Sequence, residues 1–328
     1  MDSSLYKDFT TSIGHTYHYL FSPPKDDAKP YLLFLHGFPS TSYDWRHQVP
    51  FFLGEGYGLI VPDMLGFGGS SKPASPVDYR STVLTKDLVE LIDAESATRV
   101  VAIGHDWGCK IISRLANYYP HRFVAFGLLA VGYFPPSTEN NYEQFLALSK
   151  KAFGYELFGY WSFFSSEGAD KIVEDNIESF LRLLYAQDPK LMISDFAPTG
   201  ALKAYLLQGK TDGPLASYIT EEEKDFHKRE LLDGGMASCL NWYRVMTSGI
   251  DAEDNKGVLS CQENLVVTKP VFYGGALKDF VALNAVNKAG TVEKCKNATI
   301  HEYEGGHWVM WEAKDEVNKD LLNWLKTL

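Results

Sequence analysis

The apolar run Val100-Val101-Ala102-Ile103 ends in Gly104-His105-Asp106-Trp107-Gly108, and the residues from Cys109 to Tyr119 then carry a helical pattern. A short strand that passes straight into a helix through a turn with small residues at both ends admits few architectures. It is the strand, sharp turn and helix of a parallel α/β sheet. Glycines at 104 and 108 let neighbouring backbone approach a strained turn, and the helix N-terminus beyond favours negative charge. At the apex, where such elbows hold a nucleophile, stands Asp106. A serine there would point to acyl transfer, whereas a carboxylate attacks a saturated carbon, forms an ester with its own side chain, and is regenerated when water cleaves that ester at the carbonyl. Asp106 would serve equally as a plain helix N-cap, so the rest of the chain has to decide.

Apolar β-type runs recur at Tyr17 to Phe21, Tyr31 to His36, Gly58 to Val61, Phe123 to Val131, Leu265 to Tyr273 and Ala298 to Tyr303. Helical faces lie between several of them, such as Leu84, Leu88, Leu91 and Ile92, and a last one near the end holds Val317, Leu321, Trp324, Leu325 and Leu328. This alternation predicts an α/β fold with a mostly parallel sheet flanked by helices. It breaks after Pro135-Pro136 and resumes near Leu265. The stretch between is aromatic and helically periodic, with Val173, Ile177, Phe180, Leu181 and Leu184 on one face. The reading is a core formed by 1–134 and 248–328, with an inserted helical lid over 135–247 seated on the carboxyl ends of the strands. Asp251 to Gly257 is polar and reads as a link back to the core.

Composition narrows the partners. The 328 residues carry a net charge of -11 and no basic patch, which argues against nucleic acid and anionic membrane surfaces. The longest apolar run, Val124 to Val131, is too short to span a bilayer, and the polar N-terminus has no signal-peptide pattern. A cytoplasmic, monomeric protein is expected. Cys109, Cys239, Cys261 and Cys295 are scattered with no CxxC pair, which fits reduced thiols rather than disulfides or zinc. No metal or organic cofactor is expected, and the Asn297-Ala298-Thr299 sequon reads as idle.

An elbow nucleophile needs an acid and then a histidine downstream. Val271-Phe272-Tyr273 leads into a loop carrying Asp279, and the run ending at Tyr303 leads into Gly305-Gly306-His307-Trp308. Alone, Asp279 would be a helix N-cap ahead of Phe280 to Val286, and His307 a surface loop residue. In this order, each just past a strand, they complete a triad. His301 lies in a strand pattern, His227 in a charged helix, and His105 reads as a packing spacer. His36-Gly37-Phe38-Pro39 follows the run Tyr31 to Leu35, where the backbone N–H of Phe38 would join that of Trp107 in an oxyanion hole.

Together with Val61-Pro62-Asp63-Met64-Leu65-Gly66-Phe67-Gly68-Gly69-Ser70-Ser71-Lys72-Pro73, Lys278-Asp279-Phe280-Val281 and Gly306-His307-Trp308, these motifs resemble the soluble epoxide hydrolases of the α/β-hydrolase superfamily. The resemblance covers nearly the whole chain and is strongest in the core. It implies two lid tyrosines that donate hydrogen bonds to an epoxide oxygen. Tyr155 in Gly154-Tyr155-Glu156-Leu157 matches the first and Tyr243 in Asn241-Trp242-Tyr243-Arg244 the second, with Tyr160 the alternative to Tyr155. A phenol suits that role because ring opening leaves an alkoxide to be protonated. Phe38, Trp107, Tyr155, Tyr243 and Trp308 would then surround a small hydrophobic epoxide. The mammalian soluble enzymes carry an extra phosphatase domain for which this chain has no room, and the tryptophan and membrane anchor of the microsomal branch are missing.

Haloalkane dehalogenases resemble the chain in fold, aspartate and following tryptophan, but Phe38 offers no side-chain donor to a halide. Fluoroacetate dehalogenases have arginine where Trp107 stands. A serine esterase would need a Gly-x-Ser-x-Gly elbow, which is lacking, and a receptor without turnover has no use for an acid-oriented histidine.

Overall fold

The computed structural model describes residues 1–26, 28–260 and 264–328. Its sheet is built from β1 (Tyr6–Thr10), β2 (Thr16–Ser22), β3 (Tyr31–Leu35), β4 (Gly58–Pro62), β5 (Val100–His105), β6 (Phe123–Leu129), β7 (Val267–Ala276) and β8 (Cys295–Tyr303). The order is β1-β2-β4-β3-β5-β6-β7-β8. β1 and β2, and β2 and β4, pair antiparallel; every other pair is parallel. All six residues of β5 are buried, as a parallel strand covered on both faces requires, so it reads as a continuous apolar run rather than an alternation. From β3 the chain passes to β4 on one side, then returns to β5 on the other. The loops leaving β3 and β5 therefore part above the sheet and open the crevice in which such folds hold ligands.

Between β6 and β7 the described chain is helical. Its helices include Tyr142–Phe153, Tyr160–Ser165, Ala169–Asp175, Ile177–Leu184, Ala201–Leu207, Glu221–Gly234 and Asn241–Thr247. Helix Glu221–Gly234 opens with a capping box, in which Thr220 and Glu223 satisfy each other's backbone N–H groups. The helical layer is tied to the core by Trp242 Nε1 donating to the Leu65 carbonyl at 3.0 Å, Asn241 to Ala74 at 3.1 Å and Arg46 to Glu223 at 2.7 Å.

Two sequence expectations are corrected and one strand is added. Asp251 to Gly257 is no linker but part of helix Ile250–Ser260, anchored by a buried ion pair of Asp251 with Lys110 at 2.6 Å. β1 was not read from the sequence: Lys7 and Asp8 are exposed on an edge strand whose register only β2 supplies. The helix after Asp279 begins at Asn284 rather than Phe280. Cys109, Cys239 and Cys295 are free and buried, and Cys261 lies outside the described residues. Among the described residues no helix is long and apolar enough to cross a membrane.

Candidate active site

β5 delivers its last residue, His105, directly to Asp106, whose backbone turns to φ +52° and ψ -123° before helix Trp107–Tyr118 begins. A non-glycine residue there carries strain of about 1–3 kcal/mol, held by what packs around it. Nearby glycines are required by distance. A methyl at Gly108 would stand 2.1 Å from the Leu35 carbonyl oxygen, and one at Gly37 would stand 2.2 Å from Asp106 Oδ1. Any side chain at 108 would push β3 away from the helix.

The other two members arrive on loops beyond β7 and β8. His307 Nδ1 is 2.6 Å from Asp279 Oδ2, and His307 Nε2 is 3.6 Å from Asp106 Oδ2. Asp279 uses both oxygens: Oδ1 accepts from the N–H groups of Val281 and Ala282, each at 2.8 Å, while Oδ2 takes the imidazole. Its local capping role and its triad geometry thus coexist. The His307 loop is held by Glu312, which accepts from the Gly306 N–H at 2.7 Å, and His105 Nε2 lies 2.7 Å from the His307 carbonyl oxygen.

Electrostatics follow from burial and proximity. Burial works to raise both carboxylates, but the imidazole beside them pulls Asp106 and Asp279 below their usual value. Burial likewise opposes charge on His307, yet Asp279 and Asp106 together push it up to about 10. The His307 contribution is complete below its ordinary pKa and is lost as pH rises toward about 10. The two aspartates contribute above the ordinary carboxylate range, and that part is lost as pH falls through their depressed values.

The Phe38 N–H donates to Asp106 Oδ1 at 2.9 Å. Trp107 opens its helix, so its amide is among those a helix leaves without an intrahelical carbonyl. Above Asp106 lies a cavity of about 270 Å³ whose walls include Phe38, Tyr160, Tyr243, Phe196, His307 and Trp308. Tyr160 and Tyr243 are buried, with ring centroids 5.8 Å apart. Burial raises both phenols far above their ordinary value, and the charge of Asp106 adds to this in each.

Two expected wall residues stand elsewhere. Tyr155 does not reach the cavity: its hydroxyl donates to the Phe280 carbonyl at 2.6 Å. Helix Tyr142–Phe153 ends at Gly154, in the left-handed region at φ +87°, and drops Tyr155 into the turn that follows. Tyr160, the first residue of the next helix, takes the place facing Asp106. The signal that marks it is the dense aromatic run Tyr160-Trp161-Ser162-Phe163-Phe164, which buries one side of that helix. The Trp107 ring is likewise no part of the wall, packing at 5.3 Å from both Trp161 and Tyr243. Sequence reasoning also missed Glu312 and Phe196, both of which line the cavity.

Residues 30–314 match the family described by the α/β-hydrolase fold. The chain belongs to that family. Within it, an epoxide hydrolase of Neurospora crassa is 30% identical over 94% of this chain and 91% of its own length, which places the chain among the epoxide hydrolases of the α/β-hydrolase family. The bifunctional epoxide hydrolase 2 of Mus musculus is 29% identical over 91% of this chain. That alignment covers 52% of the mouse protein, so the chain spans about half the length of this relative. The structure of an epoxide hydrolase from an endophytic Streptomyces has 27% identity and a TM-score of 0.81, with 98% of this α/β-hydrolase and 95% of that chain covered.

Proposed function

We propose that this protein converts epoxides and water to vicinal diols through an ester on Asp106. The observation that carries the reading is the cavity itself: a carboxylate in its floor, two buried phenols in its wall, and an acid-paired imidazole beside the carboxylate. An Asp106 oxygen attacks a ring carbon and the carbon–oxygen bond of the epoxide breaks. Tyr160 and Tyr243 hydrogen-bond the departing oxygen, and one of them supplies its proton. Tyr160, rather than Tyr155, takes the first tyrosine role.

The ester removes the charge of Asp106, one of the two carboxylates that keep a proton on His307. The imidazole then gives that proton up to the phenolate left by ring opening, which restores the tyrosine, and becomes a base at the stage that needs one. Water adds to the ester carbonyl as His307 takes its proton, with Asp279 holding the imidazolium. The Phe38 and Trp107 N–H groups hold the oxyanion, and the diol leaves with the proton returned by His307. Phe38, Trp308 and Phe196 favour an apolar substrate body, and Gln187, Ser217, Lys278 and Glu304 make other parts of the lining polar.

The test is diol formation over a panel of aryl, alkyl and fatty-acid epoxides, with halide release from haloalkanes in parallel. A folded protein inert to every epoxide would overturn the reading. The tyrosine assignment has its own check. Tyr160→Phe and Tyr243→Phe are each expected to slow ring opening by roughly 10²-fold, because each removes a donor to the developing alkoxide. Tyr155→Phe should stay within about twofold of the parent rate. Rapid-quench measurement of the first turnover separates these outcomes, and a dead Tyr155→Phe beside an active Tyr160→Phe would reverse the assignment.

A further inference from the structure

Behind Trp308 the interface between core and lid contains polar side chains that the chemistry above does not use. Ser40 Oγ, both carboxylate oxygens of Asp44, Arg46 Nη1 and Nη2, the Tyr185 hydroxyl and His227 Nε2 are all buried, and apart from the contact of Ser40 with Asp44 none has a hydrogen-bond partner among the described residues. Ser40, Asp44, Tyr185 and His227 are at most 1% exposed. The group is held together by rings. Tyr185 lies 5.7 Å from His227, 5.3 Å from Trp308 and 5.8 Å from Trp311, and the Arg46 guanidinium sits 4.2 Å from the Trp311 ring. Trp311 Nε1 donates to the Asp44 carbonyl at 2.7 Å and stacks on Trp308 at 4.8 Å, and Trp308 is 5.2 Å from His307.

So many buried donors and acceptors in one place would cost the fold heavily unless they shared a polar occupant, and water is the one that fits mixed donors and acceptors. We propose that Asp44 is a positioning residue for the hydrolytic half of the reaction. With Ser40, Arg46, Tyr185 and His227 it holds ordered water one tryptophan layer behind His307, and its charge stabilises the imidazolium formed when His307 takes a proton from the attacking water. This rests on the Asp106 ester reading given above.

The charged and titratable groups around this polar cluster come from several elements. Arg46 shares the Asp44 segment, and Tyr185 follows lid helix Ile177–Leu184. His227 and the Arg46 partner Glu223 come from helix Glu221–Gly234, and Asp106 and His307 from the core. Burial pushes Asp44 up to about 7, with Asp106 adding to the rise, while Ser40, Arg46 and His307 hold it down. Burial drives His227 down to about 3, so it stays neutral. Asp44 is then the group of this cluster that changes charge near neutrality.

Single-turnover kinetics of Asp44→Asn and Tyr185→Phe across pH test the idea. In Asp44→Asn the ester is expected to form within about twofold of the parent rate and to hydrolyse about tenfold more slowly. The inflection near neutrality in the hydrolysis profile should be lost. Tyr185→Phe, which keeps the ring, should displace that inflection with little effect on ester formation. Parent-like hydrolysis and pH profile in Asp44→Asn would overturn the proposal, as would equal slowing of both half-reactions with an unmoved profile. If Asp44→Asn does not fold, Tyr185→Phe decides: a displaced inflection supports the role and an unchanged one refutes it. Failure of the parent protein to open any epoxide is a different result, and removes the Asp106 reading itself.

Discussion

Mixed with an epoxide, the His307→Ala protein is expected to gain the whole mass of the substrate and keep it. Ring opening expels no atom, so intact mass spectrometry should read the parent mass plus the epoxide, with the adduct mapping to Asp106. The expectation rests on a division of labour: Asp106 needs no base in order to attack, whereas water does. His307 is also the only imidazole placed against both Asp106 and Asp279 among the described residues, so no other side chain is set to replace it. A haloalkane would instead add its mass less hydrogen halide. An adduct on any other residue would mean that the carboxylate ester is not the intermediate.

Asp106→Ala should remove turnover altogether, a loss of roughly 10⁴-fold or more, because nothing remains to form the ester that His307 would hydrolyse. Diol production by the purified variant checks this. Rates within tenfold of the parent would show that His307 activates water directly against the epoxide. The variant should fold, since Asp106 lines the cavity and among the described residues its carboxylate has partners only in Phe38 and His307.

These two residues were legible in the sequence because their positions are set locally. Asp106, Asp279 and His307 each follow the end of a strand that apolar residues define, and strand ends in a parallel sheet point to one crevice. The lid tyrosine was not legible in the same way. Tyr155 and Tyr160 differ in what lies across from them: the first meets the Phe280 carbonyl and the second faces Asp106, and both contacts join residues far apart in the chain. Asp251 was misread for a related reason. Its polarity suggested solvent, but it is buried against Lys110, and a long-range ion pair leaves no trace in local composition.

The positive φ of Asp106 bears on how such a protein drifts under selection. An alanine at 106 would inherit the strained backbone without the carboxylate, and a glycine would inherit the same loss of chemistry with the strain relieved. Asp106→Gly is therefore expected to melt above Asp106→Ala by the equivalent of about 1 kcal/mol, the reverse of the usual order for these two residues. Both variants would be inert. Selection for heat resistance alone would favour glycine at the apex of the elbow, so an aspartate there persists only where turnover is itself under selection.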